Sequence, residues 1–239
     1  MVSAASLRAI LKQHADPVNA AGAQRFFAGG VKTYGVHREQ LDGIARDAVR
    51  ALRRGGGLPA ALRIADGLYR SHNMDDAALA VRILTKFGRD LGPEYFSRFD
   101  RWVDSLRDWA STDSLSTQVI GRVVREHPAL IRRLGVWTRS PHRWRRRASL
   151  VSLIPLAHTG EHLDRIFTMA GRLLGDADDM VQKAVGWLLK EATRRRRREV
   201  IRYLVANRDR TTRLVLRYAS EKLTPAERAR VLGRARAAR

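Results

Sequence analysis

The chain contains no cysteine. Disulfides, iron–sulfur clusters and thiolate zinc sites are excluded on that ground alone. Lysine is scarce too, confined to positions 12, 32, 86, 183, 190 and 222, so the 46 basic residues include 40 arginines. Acidic residues number only 24, which leaves a formal net charge of +22. Long apolar runs are missing, and no stretch approaches the length of a membrane span. The N-terminal segment MVSAASLRAILKQHADP is too short in its apolar part for a secretory signal, so an intracellular, cytoplasmic protein is expected. Alternating apolar patterns that would signal strands are almost absent.

What is present is helical punctuation around an ample apolar fraction of 44%. Asp16-Pro17, Ser140-Pro141 and Thr224-Pro225 each set a capping side chain before a proline suited to a first helical position. Thr224 and Glu227 also have capping-box spacing. Leu41, Ile44, Ala48, Val49 and Leu52 form a stripe at three-to-four spacing that Gly55-Gly56-Gly57 ends. A second stripe, Ile166, Met169, Ala170, Leu173 and Leu174, runs into the polar turn GDADD. Connections are short, which predicts a dozen or more helices with sequence neighbours antiparallel.

An internal repeat organises these helices. Segments opening at Met74, Trp109, Trp144, Met180 and Val215 each begin with a large apolar residue. Four positions later stand Ala78, Asp113, Ala148, Ala184 and Ala219, at successive spacings of 35, 35, 36 and 35 residues. That period belongs to stacked helix pairs of the HEAT type. The predicted fold is therefore all-α: a single HEAT-like solenoid over residues 1–239, C-shaped, with a basic concave face. Asp113 breaks the repeat where a small residue lets helices approach. A buried unpaired carboxylate would cost several kcal/mol, so Asp113 is read as functional rather than packed.

The arginine excess points to nucleic acid. Planar guanidinium forks suit phosphate oxygens, and a coding bias toward arginine would not account for the shortage of acidic residues. No segment combines a bulky apolar face and basic flanks in the manner of a membrane-surface helix. Arg143, Arg146 and Arg147 recur at helical spacing, read either as a solvated basic face or as phosphate contacts. The run Arg194 to Arg198 follows the helix that holds Trp187, and its first three members, Arg194, Arg195 and Arg196, are expected at the nucleic acid. Trp109 and Asp113, four apart, project from one face of one helix. Trp102 and Trp137 read as core, whereas the polar or small neighbours of Trp109 argue against packing there.

Four stretches give the chain a resemblance to the AlkD-type family of DNA alkylation repair glycosylases. They are TYGV (33–36), DWASTD (108–113), WTRSPHRWRRRA (137–148) and VQKAVGWLLKEA (181–192). Ala110 departs from the family, which often carries an acidic residue there, and Ser111 and Thr112 differ as well. The resemblance implies a HEAT-like solenoid that releases N3- or N7-alkylated purines from duplex DNA as a monofunctional glycosylase. It implies Asp113 as the catalytic carboxylate, Trp109 and Trp187 as active-site tryptophans, and Arg147 as a DNA contact. Lys183, in the fourth stretch, is grouped with the DNA-binding residues. The family further implies engagement of the lesion through backbone and sugar, without a tight base pocket, which admits bulky adducts. A monomer is expected, with no cofactor and no metal, associated with the nucleoid. Two alternatives stand beside this reading: a non-catalytic relative that binds DNA structure, and a HEAT scaffold for proteins.

Overall fold

The computed structural model describes residues 2–233. They are helical throughout, with no strand among them. The chain divides into two compact units, Met1–Val123 and Val124–Arg239.

The first unit is built from α1 (Ala4–Gln13), α2 (Pro17–Gln24), α3 (Arg38–Arg54), α4 (Gly57–Tyr69), α5 (Met74–Thr85), α6 (Phe96–Ser105), α7 (Trp109–Leu115) and the start of α8 (Gly121–Glu126). α5 is its centre, packing on α3, α4 and α7. The α3 stripe buries Leu41, Ala48, Val49 and Leu52 as expected, while Ile44 stays half-exposed. Trp102 is buried, stacks on Tyr69 and donates its Nε1 proton to Asp66.

The TYGV stretch forms a strap fixed by the first turn of α5. The buried Asp75 carboxylate accepts hydrogen bonds from Thr33 Oγ1 at 2.7 Å, Tyr34 N at 2.6 Å and Gly35 N at 3.1 Å. Its neighbour Asp76, fully buried, pairs with Arg8 at 2.7 Å. Two carboxylates at a helix N-terminus gain from the peptide dipoles as well as from these donors. Gly35 has φ 77°, and a Cβ there would stand 2.2 Å from the Asp16 carbonyl oxygen, so only glycine closes the strap against α2.

The second unit continues with α9 (Ile131–Trp137), α10 (Arg143–Val151), α11 (Ile154–Ala157), α12 (Leu163–Gly171), α13 (Asp179–Ala206), α14 (Arg213–Ala219) and α15 (Pro225–Leu232). α13 packs against α10, α11, α12, α14 and α15 and is the spine of the unit. The α12 stripe buries all five of its expected residues. Asp178 in the GDADD turn caps α13 by accepting from Met180 N and Val181 N. Close approach of α13 and α14 depends on Gly186, where a Cβ would lie 2.4 Å from Tyr218 Cβ.

Three local expectations need correction. α10 starts at Arg143, not Pro141, because Ser140 Oγ accepts from His142 N and closes a turn ahead of the helix. The arginine run does not lie wholly beyond the Trp187 helix but straddles its end, at a kink inside α13 where Arg196 has φ −129° and ψ 44°. There Arg196 Nε donates to the carbonyl of Gly160 at 2.8 Å, holding the break. The repeat position also behaves unevenly. Ala148, Ala184 and Ala219 are fully buried, whereas Ala78 and Asp113 are only half-buried, so the cost of a buried charge does not apply to Asp113.

Glu191 gathers three basic side chains in the second unit. Nearly buried, it meets His158 Nε2 at 3.0 Å, Lys222 Nζ at 3.3 Å and Arg194 Nε at 2.5 Å, tying α13 to the end of α11 and to the connection between α14 and α15. Burial alone would raise its pKa, but hydrogen bonds from His158 and Lys222 outweigh it and leave the carboxyl below its ordinary value. A lowered folded-state pKa means stability that is fully present above the unfolded value, about 4.3, and lost as pH falls through the folded one. Glu191→Gln is therefore expected to destabilise the protein by about 2 kcal/mol at pH 7. The gap should close in acid, read as thermal midpoints of both proteins at pH 7 and pH 3. An equal gap at both pH values would remove Glu191 from this role.

Candidate functional site

In the first unit the candidate residues gather on α7. Asp108 begins the helix, its carboxylate accepting from Ser111 N at 2.7 Å and Ser111 Oγ at 2.8 Å. Trp109 is the first helical residue, and Asp113 follows one turn later. The helix then widens into a π turn over Ser116–Ile120 before α8 resumes, a feature frequent beside functional sites. Thr117 Oγ1 donates to the Asp113 carbonyl at 2.7 Å within the widened turn. Burial pushes the Asp108 carboxyl upward against the hydrogen bonds of Ser111, and the negative charge of Asp113 adds to that rise. The two carboxylates are thus close enough to interact, with Asp113 the more accessible.

Trp109 is half-buried and fixed on two sides. Its ring stacks on Phe27, with centroids 5.2 Å apart and planes at 17°, and its Nε1 donates to the carbonyl of Phe26 at 3.2 Å. Neither phenylalanine was singled out from the sequence. The available signal was two adjacent aromatics before Gly29-Gly30, in a segment with no helical or strand pattern.

In the second unit, Trp187 is half-buried although Val185, Leu188 and Leu189 beside it are fully buried. An apolar neighbourhood in sequence therefore did not place it in the core, whereas Trp137 is buried as expected. Arg147 is buried on α10 and donates through Nη1 to the Met180 carbonyl at the start of α13. Arg146 grips Asp176 through Nε at 2.8 Å and Nη2 at 3.1 Å, and its Nη1 serves the carbonyls of Ser140 and Pro141. That leaves it little capacity for another partner. Arg143 is exposed, lies 4.5 Å over the Trp144 ring and pairs loosely with Asp178 at 3.3 Å. Lys183 pairs with the exposed Asp179 at 2.9 Å.

The arginine run sorts into two kinds. Arg194 is held by Glu191, Arg196 by Gly160 and Glu199, and Arg197 by Glu227 and the Lys222 carbonyl. Arg195 and Arg198 are exposed, with no hydrogen bond or ion pair from their side chains among the described residues. Arg198 joins Arg202 and Arg230 around a depression at the far half of α13, where Glu227 is already engaged by Arg197 and Thr224. Run membership alone could not separate these roles, because contacts to distant carbonyls and carboxylates decide them. Among the described residues no group of three or more His, Asp or Glu could hold a metal, and no helix is long and apolar enough to cross a membrane.

Comparison with known proteins gives the family and the fold. Residues 7–223 match the sequence model of a family described as DNA alkylation repair enzyme. No curated protein matches the chain. Among solved structures, the fold is similar to a protein from Enterococcus faecalis described as a predicted DNA alkylation repair enzyme, with a TM-score of 0.77 at 15% identity, covering 89% of this chain and 98% of that one. It is also similar to the Pseudomonas fluorescens alkylpurine DNA glycosylase AlkC, solved with DNA containing an abasic site analog. The TM-score there is 0.56 at 13% identity; 96% of this chain is covered but only 64% of that one.

Proposed function

The chain belongs to the DNA alkylation repair enzyme family, and from that premise we propose that it is a DNA glycosylase of the AlkD type. It hydrolyses the N-glycosidic bond of cationic N3- or N7-alkylated purines in duplex DNA, acting as a monofunctional monomer. The observation that carries the reading is the Trp109–Asp113 pair: an indole locked by Phe27 and Phe26 and an accessible carboxylate one turn further along α7.

The chemistry asks little of the protein. An alkylated purine already carries positive charge, so it departs as a neutral base without a general acid. What needs stabilising is the charge that grows on the deoxyribose as the bond to the base breaks. Asp113 lies opposite that charge and orients the water that attacks the anomeric carbon. The face of Trp109 adds cation–π attraction of about 0.5–2 kcal/mol. Its half-exposure supports this role, since a ring buried on every side offers no face to a substrate. Trp187, half-buried in the second unit, is proposed to offer DNA the same kind of face.

Backbone contacts divide as the side chains do. Arg143, Arg195 and Lys183 are accessible for phosphates, whereas Arg147 is buried and donates to the Met180 carbonyl, so its contact to DNA is proposed on the family resemblance alone. Arg146, Arg194 and Arg196 act mainly inside the fold. The test is incubation with duplexes carrying defined adducts, one small methyl and one bulky, with the released base measured directly. Base release from either supports the glycosylase. Tight binding with no release from any cationic alkylpurine overturns it in favour of a non-catalytic DNA-binding relative.

A further inference from the structure

The segment between α2 and α3 does more than buttress Trp109. Among the large apolar residues that the described structure exposes, Ile10, Val18, Phe26 and Val136, only Phe26 is aromatic, and it is 60% exposed. Its exposure is not the slack of a loose loop. Phe26 N donates to Ala23 O, Phe27 N to Gln24 O and Gly30 N to Phe27 O. The Gln24 amide closes the loop from both ends, accepting from Val31 N at 2.9 Å and donating to Val31 O at 3.0 Å. The six residues between Gln24 and Val31 are thus clamped into one conformation that exposes a phenyl ring.

The ring is also coupled to the catalytic helix. The Phe26 carbonyl accepts from the Trp109 indole N–H, and the Phe27 ring stacks on the indole face, so the Phe26 main chain is fixed to Trp109 while its own ring stands exposed beside the stacked pair. Arg25 lies with its guanidinium 4.8 Å from the Phe26 ring centroid. A flat apolar face bearing a cation has the chemistry of a base-and-phosphate contact. Stacking takes any base, and the guanidinium takes the neighbouring phosphate.

Resting on the proposal that Trp109 meets DNA, we infer that Phe26 is a specificity-determining residue that senses an opened base stack at the reaction site. In an intact duplex each base face is covered by its neighbours. Where a base has been lost, the faces flanking the gap are exposed, and Phe26 packs against one of them while Arg25 takes the adjoining phosphate. That packing then holds the product of base release more tightly than undamaged DNA.

The experiment measures affinity for two duplexes of one sequence, one intact and one carrying a tetrahydrofuran abasic analogue. The wild-type protein is expected to prefer the abasic duplex, and Phe26→Ala to lower that preference about tenfold. Affinity for the intact duplex, its salt dependence and the melting temperature should stay unchanged, because the ring is exposed and the carbonyl that holds Trp109 remains. Phe26→Trp, which keeps a stacking face, should restore the preference. Arg25→Gln should weaken both duplexes alike and reduce the salt slope by about one. A wild-type protein without preference, or a Phe26→Ala variant that retains it, overturns the inference. So does a Phe26→Ala variant that loses affinity for both duplexes equally. Base release by the wild type is measured separately, so failure of the glycosylase reading and failure of this inference give different results.

Discussion

Replacing Asp113 by asparagine is expected to lower base release from alkylpurine duplexes by about 10²–10³-fold, equivalent to about 2.7–4 kcal/mol of transition-state stabilisation. The amide keeps the size and much of the hydrogen bonding but loses the negative charge that faces the growing oxocarbenium. Binding should persist or tighten, since a carboxylate near phosphates repels them. Folding should persist as well, because Asp113 is only half-buried and asparagine keeps its size and much of its hydrogen-bonding capacity. Single-turnover base release, duplex affinity and the melting temperature of Asp113→Asn decide the matter together. A folded variant that excises at the wild-type rate removes Asp113 from catalysis. A variant that unfolds shows instead that the side chain braces the π turn.

The helices were legible because their signals are local. Capping pairs such as Asp16-Pro17 and Thr224-Glu227, and the stripes of α3 and α12, depend on residues within one or two turns. The pairing of Trp109 with Asp113 on one helix was legible for the same reason. Environment was not, because it is set by residues far along the chain. Phe27 backs Trp109 across 82 positions, a contact that no spacing rule encodes. Arg146 and Arg194 look like free basic residues until Asp176 and Glu191 are placed beside them. The five-arginine run reads as one feature, yet Arg194, Arg196 and Arg197 take partners inside the fold while Arg195 and Arg198 point to solvent, a division made by residues distant in sequence. A break in the repeat marks Asp113, and its half-buried setting makes accessibility, not the cost of a buried charge, the physical ground for giving it a role.

Affinity for duplex DNA is expected to fall about 10³–10⁵-fold between 50 and 200 mM salt, the response of a protein that neutralises roughly 6–10 phosphates. The excess of basic residues makes so large a slope reachable even though many arginines are engaged within the fold. Such binding should depend little on sequence, since phosphate contacts carry no base information. The structure names which side chains to remove. Arg198, Arg202 and Arg230 surround one depression, and none has a hydrogen bond or ion pair from its side chain among the described residues. Changing all three to glutamine should leave the melting temperature close to wild type and lower the salt slope by nearly three. Arg147→Ala should behave differently, lowering the slope by about one while also destabilising the protein, because it abandons the Met180 carbonyl. Titrations of a labelled duplex at four or five salt concentrations give each slope directly. A nearly salt-independent affinity would show that the charge of this chain serves some other partner. An unchanged slope in the triple variant would place the DNA away from the far half of α13.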